Sequence, residues 1–557
     1  MKKLRRIITL VFIFTLAFLL FSVNTVDAAL VNLKKANGDN MLYSHDGTPV
    51  LINEPFERFE REFRGTWVTP LVGNFPSFQN EVQYKQAFTS LLDNLEVHNY
   101  NAIIFHVRIM NDALYETDLN PKSRFYQNNT GFDAIPWMVE ESHKRGIEFH
   151  AWMNPYRVTN SFTGDYSTLN GANIPANPAS DPNKLLIVGG SVILNPGVPA
   201  VREFLNNTVA EFIQKYDVDA IHFDDYFYIN GIGTSPDQAL DKAQYEAYNP
   251  NNLSLADWRR SQVDIFIEEL HELIDNHNIT NNKTVQLGIS PSGIYRNGNG
   301  IVTYDGDGNA ISNGSKTSGF AHYGSYLYSD TLKWINEEWI DYILPQAYWG
   351  FERAPVAGFA DVMGWWNKAV KYRDVNLYAG IGAYMALDGA SHDSWKTNTD
   401  NELANQMKYL NTLENNQGFS IYSYTHYMRG LNPNDTKFYR MFQNAHNVSY
   451  KYPVLLPEKP INNKINPGYV TNFELNINES GHKVLSWTKN PLAFTYGIYR
   501  TEGDFTYSGD ELIAVLDREA TSFVDTSSGF DNRYAIVALS RSNTKGEPSL
   551  VEAELGP

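Results

Sequence analysis

The sequence predicts a (β/α)8 barrel followed by a small all-β sandwich. Three observations predict this. Eight apolar, strand-like runs recur between residues 62 and 450. Amphipathic, helix-like stretches follow most of them, which is the pattern of parallel βα units closing into a barrel. After residue 450 the texture changes to a proline- and asparagine-rich stretch and then to short strands. An open doubly wound sheet usually has fewer strands and a glycine-rich phosphate turn after the first of them. Here the first run is followed by "TPLVGNFPSF".

The elements follow in order. Residues 1–28 read as a secretory signal peptide: Lys2, Lys3, Arg5 and Arg6 precede the apolar "IITLVFIFTLAFLLF", and Val26-Asp27-Ala28 ends in a small residue suited to cleavage. An uncleaved anchor is the alternative. Residues 29–61 carry no clear pattern. The barrel strands are expected in "FRGTWV" (63–68), "NAIIFHV" (101–107), "GIEFHAWM" (146–153), "VDAIHFD" (218–224), "TVQLGIS" (284–290), "IDYILPQAY" (340–348), "NLYAGIGAY" (376–384) and "GFSIYSY" (418–424). Helices are expected over 81–97, 133–145, 198–216, 254–277, 325–338, 357–372 and 401–415. The barrel domain thus spans 62–450, and 451–468 reads as a linker. In 469–557 the short strands "VLSWT", "TYGIYR", "ELIAVL", "SFVDT" and "RYAIVALS" place Trp487 and Tyr534 where a sandwich would bury them. That part resembles a fibronectin type III module.

Composition narrows the partners. The 557 residues carry a net charge of -18, and the first 28 hold four positive charges and one negative, so the remainder is more acidic still. Nucleic acid and an anionic membrane surface are poor partners for such a chain. There is no cysteine, so no disulfide framework is available. Aromatics make up 14%, with 34 tyrosines, and sugar rings dock on aromatic faces.

Chemistry in a barrel of this kind gathers at the C-terminal ends of the strands. The second strand ends in His106-x-Arg108, then "IMNDALY"; the third in His150-x-Trp152-x-Asn154, then Pro155-Tyr156-Arg157. The fourth ends in His222-x-Asp224, then Asp225-Tyr226, and the sixth in Gln346-x-Tyr348-Trp349. Side chains two apart share a face, so each of these polar pairs faces the barrel interior. Asp224 therefore faces the mouth with His222, and the adjacent Asp225 is expected to point away, into a loop or a cap. Glycoside hydrolysis needs a proton donor and a second carboxylate. Asp224 supplies one; Asp112, Glu352 and Asp388 are candidates for the other. Three histidines on neighbouring strands also raise a metal centre, but histidines that orient polar partners are commoner, and no metal or cofactor is expected. The loop "DGDGN" (305–309) lacks the glycine and the acid of a calcium loop at Ala310 and Lys316.

The blocks "FRGTWVTP", "FHVRIMNDALY", "HAWMNPYR", "IHFDDYFY", "GISPSGIYRN" and "DYILPQAYW", over roughly 60–430, resemble those of the glycosyl hydrolase-like 10 family. The resemblance implies a TIM barrel acting on glycans outside the cytoplasm, with bacterial cell-wall polysaccharide as the leading substrate class. Members commonly carry "RPxGDA" after the second strand; Arg108, Asp112 and Ala113 match and Ile109-Met110-Asn111 departs. The fourth block also resembles the "DxxDxDxE" strand of chitinase-type barrels, but Tyr226 stands at the glutamate, so that mechanism does not carry over.

The resulting expectation is a secreted or cell-wall-associated glycoside hydrolase with Asp224 and Asp225 as catalytic residues. Arg108, Asp112, Asn154, Tyr156, Arg157 and Gln346 would hold sugar substituents, with His222 and Tyr226 beside them. Trp152, Tyr348 and Trp349 would stack on rings. A non-catalytic glycan-binding surface protein and a metal-dependent hydrolase are the alternatives.

Overall fold

The computed structural model describes residues 29–552 apart from 325, 389–392 and 528–532; the expected signal peptide at 1–28 lies outside them. Eight parallel strands close into a barrel: β1 (Phe63–Val68), β2 (Ala102–Arg108), β3 (Glu148–Met153), β4 (Ala220–Phe223), β5 (Gln286–Ile289), β6 (Tyr342–Ile343), β7 (Asn376–Gly382) and β8 (Asn416–Tyr422). Each strand pairs with its neighbours in sequence, and β8 pairs with β1 to complete the ring. β6 is shorter than expected because Pro345 has no N–H for the ladder. Pairing resumes beyond it as single bridges from Gln346 to Ser292 and to Gly380.

Helices cover the outside: α1 (Glu81–Glu96), α2 (Ala134–His143), α3 (Pro199–Lys215), α4 (Leu255–Asn281), α5 (Thr331–Asn336), α6 (Phe359–Ala369), α7 (Thr399–Leu410) and α8 (Thr436–Ala445). Their starts are capped as sequence chemistry dictates: Asn80 accepts from Gln83 N before α1, and Ser254 accepts from Asp257 N before α4. One large apolar core lies between strands and helices, and a second fills the barrel with Phe63, Trp67, Ile104, Trp152, Tyr342 and Tyr378. Gly288 on β5 makes room for one of these rings; a Cβ there would lie 1.8 Å from Tyr342 Cζ. Residues 29–61 pack Leu33, Met41, Val50 and Ile52 into the outer core. After β3 the chain forms a small antiparallel sheet (Arg157–Thr159, Leu185–Val188, Ser191–Leu194) before α3, which places Arg157 at the mouth.

The C-terminal part is all β. One sheet joins β9 (Glu474–Ile477), β10 (Lys483–Ser486) and β13 (Ser522–Asp525). The other joins β12 (Leu512–Asp517), β11 (Thr495–Thr501), β14 (Arg533–Leu539) and β15 (Ser549–Glu552). Trp487 and Tyr534 are buried in the core of these sheets. The stretch 451–468, expected as a linker, does not hang free. Leu455 exchanges backbone hydrogen bonds with Glu60 and Glu62. Leu456 and Phe494 enter the barrel-interior cluster, and Lys459 is buried among Glu148, Asp219 and Thr284. A proline-rich strand cannot pair in a sheet interior, but it fits a groove, and here it closes the barrel floor.

Candidate active site

The C-terminal mouth of the barrel holds a cleft of about 370 Å³. Trp67, Thr69, His106, Trp152, Asn154, Arg157, Asp224, Asp225, Tyr226, Ser290, Gln346, Tyr348, Tyr384 and Tyr422 line it, with Leu71 and Val72 at the rim. A larger cavity of about 700 Å³ opens at the opposite end, beside Glu60, Arg61, Glu458 and Lys464. Its charges are mixed and lie at the end of the barrel that serves stability, so the candidate site is the mouth.

Asp224 is buried, on the face that His222 also occupies, and accepts a hydrogen bond from Trp152 Nε1 at 3.1 Å. Burial, and next the adjacent Asp225, push its carboxyl up to about 8; Arg157 and the Trp152 bond pull the other way. Asp225 departs from expectation. β4 ends at Phe223, so strand alternation no longer governs residue 225, and its side chain lines the same cleft. Burial raises Asp225 to about 6, against Arg157 and a hydrogen bond with Gln346. Among the described lining residues these two are the carboxylates. The Arg157 guanidinium lies 3.6 Å from the Tyr226 ring centroid, a cation–π contact that holds it beside the pair.

Aromatic rings build the walls. Trp152 stacks on His106 at 3.7 Å between centroids, and Tyr348 meets Trp67, Tyr384 and Tyr422. Asn154 is buried; its Nδ2 faces His106 Nε2 and donates to Ile109 O, and its Oδ1 has no protein partner. His106 Nδ1 meets Thr69 Oγ1 at 2.9 Å. His222 lies under the cleft and does not line it, with its nitrogens on Tyr342 and Ser290. Burial holds both His106 and His222 well below the usual imidazole range, so both are neutral.

Several expected substrate contacts lie elsewhere. Arg108 does not line the cleft and is held by the scaffold: it donates to Asn111, Asn120 and the carbonyls of Asn154 and Pro155. Asp112 caps its own loop through Ile109 N and Met110 N. Tyr156 packs against Phe227 and Phe266 behind the barrel wall. Trp349 packs into the outer core. Glu352 accepts from Ala36 N and Thr397 Oγ1, away from the cleft, and the Asp388 side chain lies outside the described residues. Trp67, Thr69, Ser290, Tyr384 and Tyr422 were not singled out from sequence. Trp67 and Tyr422 carry the inward parity of β1 and β8, which was the available signal, and Tyr384 follows two residues beyond the end of β7.

The model of the family described as "Glycosyl hydrolase-like 10" matches residues 62–395. The chain is 29% identical over 517 residues to "Glycosyl hydrolase YngK" of Bacillus subtilis (strain 168), covering 89% of this chain and 94% of that protein. It is 34% identical over 320 residues to "Glycosyl hydrolase DigH" of Escherichia coli (strain K12), covering 56% and 68%. The solved PgaB (BpsB) glycoside hydrolase domain from Bordetella bronchiseptica aligns with a TM-score of 0.41 at 12% identity, covering 69% of this chain and 97% of that one. With a match over more than half of its length, from the start of the barrel to beyond β7, the chain belongs to the glycosyl hydrolase-like 10 family.

Proposed function

We propose that the protein is a secreted glycoside hydrolase that cleaves glycosidic bonds in a bacterial cell-wall glycan. The observation that carries this reading is the acid pair. Two carboxylates line one aromatic-walled mouth, and burial raises the proton affinity of both, that of Asp224 further because of the adjacent Asp225. At neutral pH Asp224 keeps its proton and serves as the general acid to the leaving oxygen. Asp225 is ionised and supports the positive charge that develops at the anomeric carbon, or activates water. The relatives named as glycosyl hydrolases support the class of reaction. The family resemblance supports a cell-wall substrate, and the signal-like first 28 residues support secretion.

A non-catalytic glycan-binding protein would keep the aromatic wall without needing a split acid pair. A metal-dependent hydrolase is less well supported, because His106, His150 and His222 each engage both ring nitrogens with protein groups. The sheet orders of the C-terminal part support the finer proposal of a fibronectin type III fold there. The test is incubation of the protein with purified peptidoglycan, with and without its stem peptides, followed by mass spectrometry of the soluble products. New reducing ends carrying one added water are expected. Binding without any cleavage of either substrate would sink the reading in favour of the glycan-binding alternative.

A further inference from the structure

A column of hydrogen bonds runs up the barrel axis from floor to mouth. Asn543 Nδ2 donates to Glu148 Oε1 at 3.0 Å, and Lys459 Nζ forms an ion pair with the same oxygen at 3.1 Å. Glu148 Oε2 lies 2.9 Å from His150 Nε2. His150 Nδ1 lies 2.8 Å from the Tyr342 hydroxyl, which lies 2.9 Å from His222 Nδ1. His222 Nε2 lies 2.8 Å from Ser290 Oγ and 3.4 Å from Trp67 Nε1. Ser290 and Trp67 line the cleft, and the Ser290 carbonyl accepts from Gln346 Nε2.

The directions of these bonds are not independent. Trp67 Nε1–H can only donate, so His222 Nε2 is bare and His222 carries its hydrogen on Nδ1. That Nδ1–H donates to the Tyr342 oxygen, and the Tyr342 hydroxyl donates to His150 Nδ1. His150 therefore carries its hydrogen on Nε2, where the Glu148 carboxylate, which can only accept, receives it. Ser290 Oγ–H faces the bare His222 Nε2.

We propose that Glu148, at the floor, is a positioning residue for the mouth: its charge fixes the tautomers of His150 and His222, and so fixes how Ser290 and Trp67 sit under the cleft. The C-terminal part takes part, since Lys459 and Asn543 anchor Glu148 Oε1. Glu148→Gln turns the column over. The Lys459 ammonium beside the Oε1 position repels an amide N–H there, so the amide oxygen goes there and the amide nitrogen faces His150 Nε2. His150 then carries Nδ1–H, Tyr342 donates to His222 Nδ1, and His222 Nε2–H points at Trp67 Nε1–H.

Neutron diffraction decides the matter first on the unaltered protein. Hydrogen is expected on His150 Nε2 and His222 Nδ1, with none on His150 Nδ1 or His222 Nε2. Hydrogen on His222 Nε2 would overturn the proposal. In Glu148→Gln both tautomers should reverse, and kcat/KM on the glycan should fall about tenfold with the fold retained. Unreversed tautomers in a folded variant would also overturn it. If that variant does not fold, Tyr342→Phe serves: His150 should keep its Nε2–H while His222 loses its fixed tautomer, and a His222 unchanged there counts against the proposal. The activity arm rests on the glycosidase reading; the hydrogen positions do not, so the two can fail separately.

Discussion

At the floor of the barrel, Glu148 and Asp219 are buried beside Lys459, and Arg541 and His143 complete the cluster. At the mouth, Asp224 is buried to a similar degree beside Asp225, with Arg157 as the nearby cation. Burial alone would raise all four carboxyls. At the floor cations and hydrogen bonds outweigh it: Lys459 and the His150 bond hold Glu148 below the usual range, and Arg541, Lys459 and the bond with His143 hold Asp219 well below it. At the mouth burial wins, and a like charge adds to it. One end of the barrel compensates its acids and becomes a joint between two parts of the protein. The other leaves them under-compensated, which is the condition for moving protons near neutral pH.

Breaking the floor should have the largest effect. Lys459→Met leaves Glu148 and Asp219 buried without their shared cation, and loss of one partner of such a buried cluster costs about 3–5 kcal/mol. Urea unfolding should show the midpoint falling accordingly. A chain ending at Tyr450 loses Lys459, Phe494, Arg541 and Asn543 together, and should be insoluble or unfolded. Native-like stability of that truncated chain would refute the reading of the floor as a joint.

At the mouth, Asp224→Asn and Asp225→Asn should each lower kcat by at least about a hundredfold with KM little changed, because both remove groups used mainly in the transition state. The shared cleft sets aside the weaker effect that strand alternation would assign to Asp225. Near-normal turnover in either variant on the same glycan would remove that residue from the acid pair.

The pH profile sharpens the comparison further. The base must be ionised and the acid protonated, so kcat/KM should rise through about pH 6 and fall through about pH 8. Arg157 lowers both acids, so Arg157→Met should move both limbs to higher pH. A profile that stays in place would mean that Arg157 does not set the proton affinity of the pair.

Much of this was legible in the sequence, for a definite reason. Strand alternation fixes direction only while a strand continues. It carries through β4 to His222 and one residue further to Asp224, which lines the cleft, and it fails at Asp225, the second residue beyond Phe223. Tyr156 and Trp349 lie beyond strand ends for the same reason, and loop geometry turned them outward. Alternation would turn Arg108 inward, but the register shifts after His106, and its acceptors come from loops without periodicity, so its saturation could not be read. The floor was hidden most completely. Proline and asparagine in 451–468 are as compatible with a tether as with a plug, and the acids that bind Lys459 sit on and just before distant barrel strands.

The smallest expected effect tests the comparison through stability. A carboxyl whose proton affinity is raised on folding favours the folded state fully below about pH 4, its unfolded value, and that contribution is lost as pH rises through the folded value. For Asp224 the loss runs from about pH 4 to about 8. The floor acids have the opposite sign. Their contribution is present above about pH 4 and disappears as pH falls through their lowered folded values. Acid should therefore unfold the protein through the floor, and alkali should weaken it through the mouth. Asp224→Asn removes only the second term. Thermal melting of this variant and the parent should converge near pH 4 and separate toward pH 8.5, with the variant the more stable by a few degrees. Asn accepts the Trp152 bond as Asp does, and loss of the longer bond from Tyr226 N acts at every pH, so the change in separation with pH reports ionisation. If the two melting curves run parallel across this range, Asp224 is not carrying a buried charge at alkaline pH, and the contrast between the two ends of the barrel fails at the mouth.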